Sequence, residues 1–272
     1  MELQQLLSET AQRKASDLHL KSGSKPILRI HGHLEVQDDM PLVTREFIDK
    51  MAESLLGERR LNMLMEGREM DLGYMLPGIG RFRCNLFLAM GEVRGVFRHV
   101  PERIPAFQEL HLPKVLERLS MERRGMILVT GPTGSGKSTS LASMIDFMNR
   151  GRNDHIVTIE DPIEFVHQDK KCVLSQREIG HDSVNFAQAL RAALREDPDI
   201  MLVGELRDVE TMEVGLHAAE TGHLVLSTLH TLNAAETINR MISMFPPHQE
   251  EQIRGQLASV IQGIVSQRLV VR

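Results

Sequence analysis

The stretch Gly131-Pro132-Thr133-Gly134-Ser135-Gly136-Lys137-Ser138-Thr139 decides the fold, because it follows directly on the apolar run Met126-Ile-Leu-Val129. It satisfies G-x-x-x-x-G-K-[ST] in full, with a strand pattern ahead of it and a helical pattern behind. Glycines at 131, 134 and 136 let the backbone curl and aim its N–H groups at phosphate oxygens. Lys137 adds a cation for the β- and γ-phosphates, Ser138 a hydroxyl for Mg²⁺, and the following helix its positive end. All nine residues, 131 to 139, are therefore candidate nucleotide-binding residues, and the ligands implied are ATP and Mg²⁺.

Working outward, the order from Lys114 alternates between strand and helix. The pattern predicts helix 114–121, strand 126–130, a helix to about Arg150, strand 155–160, helix 185–195 and strand 199–203. Helix 209–220, strand 223–228 and helices from about 234 and 248 complete it. Near-continuous apolar strands such as Ile200-Met-Leu-Val203 indicate a mostly parallel sheet covered on both faces. Residues 1–99 read differently, as a smaller α+β module. An amphipathic helix at Leu3, Leu6, Leu7 and Ala11 precedes strands at 16–20 and 27–31. Thr44 is a candidate N-cap for a helix to about Leu55, and a second helix spans about 58–66. Strands 70–75, 81–90 and 92–99 follow, with Gly91-Glu92 as the hairpin candidate. Pro101, Pro105 and Pro113 break any continuous helix, so a linker is expected at 100–112 and the second domain at 113–272.

Bulk properties restrict the function. With 32 basic against 37 acidic residues the net charge is −5, and there is no Trp and one Tyr, a poor endowment for nucleic-acid binding. The isolated Cys84 and Cys172 suit a reducing compartment, not a zinc or disulfide framework. The charged start MELQQLLSETAQRK is no signal peptide, and no apolar run approaches the roughly 18 residues of a membrane span. Direct membrane insertion is not expected.

Hydrolysis also needs groups that orient water and hold metal, and three clusters fall at strand ends. They are Glu160-Asp161-Pro162-Ile163-Glu164, Gly204-Glu205 after Ile200-Met-Leu-Val203, and the strand bounded by His223 and His230. A carboxylate at the carboxyl end of a parallel strand lies beside the ligand crevice, which makes it a candidate base or metal ligand.

In that order, GPTGSGKST, VTIEDPIEF, DPDIMLVGELRD and TGHLVLSTLHT resemble the Walker A, Asp box, Walker B and His box of the secretion ATPase superfamily. With KASDLHL near the start, the chain resembles the type IV pilus retraction ATPases, the PilT family of twitching motility. The resemblance implies a RecA-like P-loop domain behind a PAS-like α+β domain, and a cytoplasmic homohexameric motor. It implies Glu164 as general base with Glu160 and Asp161 supporting, and Glu205 with Ser138 at the metal. His223 and His230 match the His box, and Arg83 and Arg98 (Arg81 in reserve) match arginines that complete a neighbouring subunit's site. Implied partners are an inner-membrane pilus platform protein, through which the motor meets the membrane, and a paralogous retraction ATPase. A pilus-assembly or type II secretion ATPase and a non-hydrolysing nucleotide-binding scaffold are the alternatives. The end at Ser266-Gln-Arg-Leu-Val-Val-Arg272 carries no turn or cap and reads as a mid-domain stop, with about the last quarter of a family member missing.

Overall fold

A computed structural model describes residues 2–100 and 103–270. Pro101, the first proline of the expected linker, and the end of the 266–272 segment lie outside the described residues. The chain divides into two compact units, Met1–Glu102 and Arg103–Arg272.

In the first unit, helix α1 (Leu3–Gln12) precedes strands β1 (Asp17–Leu20), β2 (Ile27–Ile30) and β3 (His33–Val36). Helix α2 (Arg45–Met65) follows, then β4 (Met70–Leu76), β5 (Gly80–Ala89) and β6 (Glu92–Val100). The six strands form one antiparallel sheet in the order β3-β2-β1-β6-β5-β4. Alternation along β5 separates its faces: Phe82, Cys84 and Leu86 are fully buried, while Arg81, Arg83 and Asn85 between them are half-buried. Leu18, Leu28, Phe82 and Phe97 share a core with Leu7 of α1 and Ile48 of α2, so the helices cover that face. Thr44 caps α2 as expected, accepting from Phe47 N, and Gly57, at φ 67°, divides the helix into its two expected pieces.

Two turns differ from the expectation. The β5–β6 loop is Met90-Gly91, one residue earlier than the Gly-Glu pair, with both φ values positive (57° and 76°). A two-residue hairpin matched to strand twist needs that handedness at both positions, and glycine supplies it at the second. His31-Gly32, at 49° and 86°, repeats the device and creates β3, an exposed edge strand the sequence reading lacked.

The second unit contains helix α3 (Val115–Ser120), β7 (Gly125–Thr130), α4 (Lys137–Gly151), β8 (His155–Glu160), β9 (Val173–Glu178) and α5 (Phe186–Ala193). Then come β10 (Ile200–Val203), α6 (Val209–Glu220), β11 (Leu224–Leu229), α7 (Ala234–Ser243), a short 3₁₀ turn Pro247–Gln249, α8 (Glu250–Val260) and β12 (Ile261–Ser266). Every ladder is parallel, in the order β12-β7-β11-β10-β8-β9. β7 is buried throughout: Met126 and Leu128 join a core with α5, α6 and α8, Ile127 and Val129 one with α3 and α4. A sheet packed on both faces leaves no polar stripe, which is why these strands read as unbroken apolar runs. The edge strands β9 and β12 lack that signature. Residues near the expected linker pack within this unit: Phe107 lies 5.2 Å from Phe147 between ring centroids, and Ser143 Oγ donates to Pro105 O at 2.6 Å.

Phe97 is fully buried and Leu34 is 54% exposed. Phe97→Ala should destabilise the first unit by about 3–5 kcal/mol, and Leu34→Ala by at most about 0.5 kcal/mol, read from chemical denaturation. Equal shifts for the two would contradict this account of the core.

Candidate active site at the carboxyl edge of the parallel sheet

The loop after β7 curls through three glycines with positive φ, Gly131 (143°), Gly134 (77°) and Gly136 (89°), the last being the N-cap of α4. A Cβ on Gly131 would sit 2.2 Å from Gln267 O and 2.8 Å from Ser135 Oγ. The loop therefore rests on the chain leaving β12. Gln267 N donates to Thr130 O at 2.7 Å, and Ser140 Oγ donates to Gln267 Oε1 at 3.0 Å. The sequence reading did not single out Gln267, since nothing local marks a glutamine that closes a loop so far upstream.

Lys137 is buried and folds back on the loop, donating from Nζ to Gly131 O at 2.9 Å and Pro132 O at 3.1 Å. Burial pushes its pKa down, against the opposing pull of Glu164 and Glu205. Both acids thus act on the lysine they were expected to accompany. Among the described residues the buried Ser135 hydroxyl has no hydrogen-bond partner, and above Gly134 a Cβ would meet nothing within 4 Å. An open loop with a buried cation, an unspent hydroxyl and a helix N-terminus fits a phosphate. Ser138, on the first turn of α4, and Glu205 are the oxygens available to a Mg²⁺, which needs only one or two protein ligands beside phosphates and water.

Register brings the acids level. Val203 pairs with Ile159 and with Ser227, which itself pairs with Leu128, so Glu160, Gly204 and Thr228 end adjacent strands at one height. Gly204 N donates to Ile159 O and Thr228 Oγ1 to Gly204 O, locking that edge. Glu205 follows with its side chain only 12% exposed. It pairs with Arg207 through Oε1, and His230 Nε2 stands 3.6 Å from Oε2. Arg207 was not anticipated: an arginine two residues past a strand looks like any solvated loop residue. His223 and His230 were expected together, but they bracket β11, and only His230 reaches the carboxyl edge. His223 stands at the amino end, on the order of 20 Å away along an extended strand, its Nδ1 3.0 Å from Ala218 O. A straight strand keeps its two ends apart, so His223 lies outside this constellation.

In the loop after β8, the Glu164 backbone amide bonds to the Glu160 carboxylate, and Glu164 itself is exposed. Asp161 is exposed as well and precedes Pro162 through a cis peptide. The buried carboxylate of Glu178, at the end of β9, accepts from Ile163 N at 3.0 Å and pins this loop. Glu178 was missed because β9, VLSQRE, has no apolar alternation. Arg83 and Arg98 both lie in the first unit, opposite one another on β5 and β6.

Glu160 and His167 line a small cavity of about 40 Å³ with Ser138, Gly204 and Thr228. Burial pushes the Glu160 carboxyl from an ordinary 4.5 up to about 7, despite hydrogen bonds from Thr158 and Gln176. It pushes His167, whose Nδ1 has no partner among the described residues, from 6.5 down to about 4. The signs oppose. The folded state holds the Glu160 proton more tightly than the unfolded chain, so this group removes stability as pH rises from about 4.5 to about 7. It holds the His167 proton less tightly, so that group removes stability as pH falls from about 6.5 to about 4. Glu160→Gln should gain stability over wild type progressively across pH 4.5 to 7 and by a constant amount above, while His167→Gln gains on the acid side. Denaturation midpoints measured across pH check this; pH-independent differences for both variants would sink it.

The whole chain, residues 1–272, matches the family model of type II/IV secretion system proteins. It is 44% identical to the type IV pilus retraction ATPase PilT of Pseudomonas aeruginosa over 270 residues, 99% of this chain and 78% of that protein. It is 43% identical to the twitching motility protein of Neisseria gonorrhoeae over 245 residues, 90% of this chain and 65% of that one. Among solved structures, the pilus retraction motor PilT with bound ADP superposes with a TM-score of 0.93 at 46% identity, covering 99% of this chain and 79% of that one. The doubly covered parallel sheet, the glycine-rich loop at its carboxyl edge and this likeness over nearly every residue have one reading: the chain belongs to the type II/IV secretion system protein family, on its PilT branch of pilus retraction ATPases.

Proposed function

We propose that this chain is the subunit of a ring motor, a homohexamer, that hydrolyses ATP with Mg²⁺ to retract type IV pili. The observation that carries it is the glycine loop of three positive-φ glycines at the carboxyl edge of the parallel sheet, with Lys137 buried at the start of α4. Backbone N–H groups of residues 133–136 cradle the phosphates, Lys137 leaves the loop carbonyls to meet the β- and γ-oxygens, and Thr139 extends the first turn of α4 behind them. Glu164, exposed in the loop after β8, accepts the proton of the water that attacks the γ-phosphorus as the bond to ADP breaks. Ser138 and Glu205 face the metal. These two side chains would hold Mg²⁺, which would supply positive charge against the negative charge that builds on the phosphoryl oxygens. His230 and Arg207 orient the Glu205 carboxylate through its two oxygens.

Arg83 and Arg98 serve the site of an adjoining copy, where fixed guanidinium groups meet the developing negative charge. A lone chain then holds nucleotide and turns it over slowly. The cycle is passed to an inner-membrane platform protein, with a paralogous ATPase as a further partner. Among the described residues no helix is long and apolar enough to cross a membrane, so membrane association is assigned to those partners.

Lys137→Ala should abolish nucleotide affinity. Glu164→Gln and Glu205→Gln should keep binding yet lose about 100-fold or more in turnover, as removal of an acid–base group does. ATP binding without Mg²⁺-dependent turnover, unchanged by Glu205→Gln, would return the chain to the scaffold reading. In cells, loss of the gene should leave surface pili abundant and twitching absent; bald cells would assign the motor to pilus assembly.

A further inference from the structure

On the face of the first unit's sheet that the helices leave uncovered, charged residues form one row across four strands. The register pairs Arg29 of β2 with Asp17 of β1, Asp17 with Arg98 of β6, and Arg98 with Arg83 of β5. Directly opposed residues share a face and lie about 5 Å apart, so the row reads plus, minus, plus, plus. The next position on β4 is Gly73, and the space its Cβ would fill holds the Arg81 guanidinium, with Nη2 2.1 Å from that point.

The single anion of the row is the buried member. Asp17 is 3% exposed, whereas the Arg98 side chain is 62% exposed. Asp17 Oδ1 accepts from Arg98 Nε at 2.9 Å, and Oδ2 accepts from Ser16 Oγ at 2.8 Å and faces Arg29 Nε at 3.8 Å. Arg29 is itself tied down, donating from Nη1 to Gly32 O at 2.8 Å. The carboxylate is thus fixed from its Oδ2 side and holds Arg98 by the one nitrogen nearest the stem. Among the described residues the two terminal nitrogens of Arg98 have no partner, and neither has Arg83. A guanidinium held at Nε keeps its terminal pair free for a two-point contact with an oxyanion. Two arginines side by side with one carboxylate between three cations leave a site short of negative charge.

We propose that Asp17 is a positioning residue for ATP hydrolysis: it locks the Arg98 guanidinium so that its terminal nitrogens, beside Arg83, receive the phosphoryl oxygens of a nucleotide held by an adjoining copy of this chain. The inference rests on the reading of Arg83 and Arg98 given above. Asp17 acts through Arg98 and touches no substrate, so its removal leaves nucleotide affinity at the glycine loop intact and slows the step in which phosphoryl charge develops.

The test is a double-mutant cycle on the full chain, with steady-state Mg²⁺-ATPase kinetics, binding of a fluorescent ADP analogue, ring assembly and thermal unfolding measured for each variant. Asp17→Asn should lower kcat about 10- to 100-fold, in line with loss of orientation at a charged contact, with KM and ADP-analogue affinity within about threefold of wild type. Arg98→Ala should cost at least as much, and adding Asp17→Asn to it should cost nothing further, because the two act as a unit. Should Asp17→Asn not fold, Ser16→Ala replaces it, loosening Oδ2 alone. A several-fold fall in kcat that vanishes in the Arg98→Ala background supports the proposal, and wild-type kcat overturns it.

The arms separate the two levels of inference. Wild-type kcat for Asp17→Asn with a large loss in Arg98→Ala removes the positioning role and leaves the arginine reading standing. An equal loss from Asp17→Asn in both backgrounds makes Asp17 a general structural residue and overturns the proposal. Wild-type kcat for both Arg98→Ala and Arg83→Ala removes the reading beneath it.

Discussion

The parallel hydrogen-bond ladder of the second unit holds the ends of β7, β8, β10 and β11 level, and the chemistry depends on that alignment. Each strand is anchored on both faces by apolar packing, so its last residue cannot slide without moving a buried side chain into the wrong layer. Acids that follow these strands are therefore delivered to one edge at fixed height, facing the glycine loop. Desolvation does the rest: the same burial that depresses the Lys137 pKa raises that of Glu160, so charge at this edge is held where partners exist and suppressed where they do not.

The first unit solves a different problem with the same rule. Its antiparallel sheet buries one face under α1 and α2 and can afford charge on the other. There a single sequestered carboxylate organises cations on both flanking strands, whereas in the second unit one sequestered lysine is held by the carbonyls of its own loop. The first arrangement joins residues far apart in sequence that only strand pairing brings together.

The sequence was most legible where period and context coincide. Unbroken apolar runs and the glycine loop between strand and helix identified the parallel sheet and its ligand edge, and Thr44 announced its helix. Legibility failed at the margins. The strands β3, β9 and β12 lie at or near sheet edges with one poorly covered face, so composition does not set them apart from loops. Glu178 and Gln267 act through tertiary neighbours with no local spacing to announce them, and Arg207, paired with the nearby Glu205, has the look of an ordinary loop cation. His223 is the converse case: it shares the boxed pattern with His230 but stands at the other end of β11, away from the carboxyl edge.

The contact between Gln267 and the glycine loop bears on how the molecule is made. The loop lies directly on the Gln267 carbonyl, yet more than a hundred residues separate the two along the chain. During synthesis the phosphate cradle emerges from the ribosome long before its floor. Closing so long a span costs chain entropy that local contacts do not repay. The floor of the cradle is laid only as β12 docks beside β7, late in the order of synthesis.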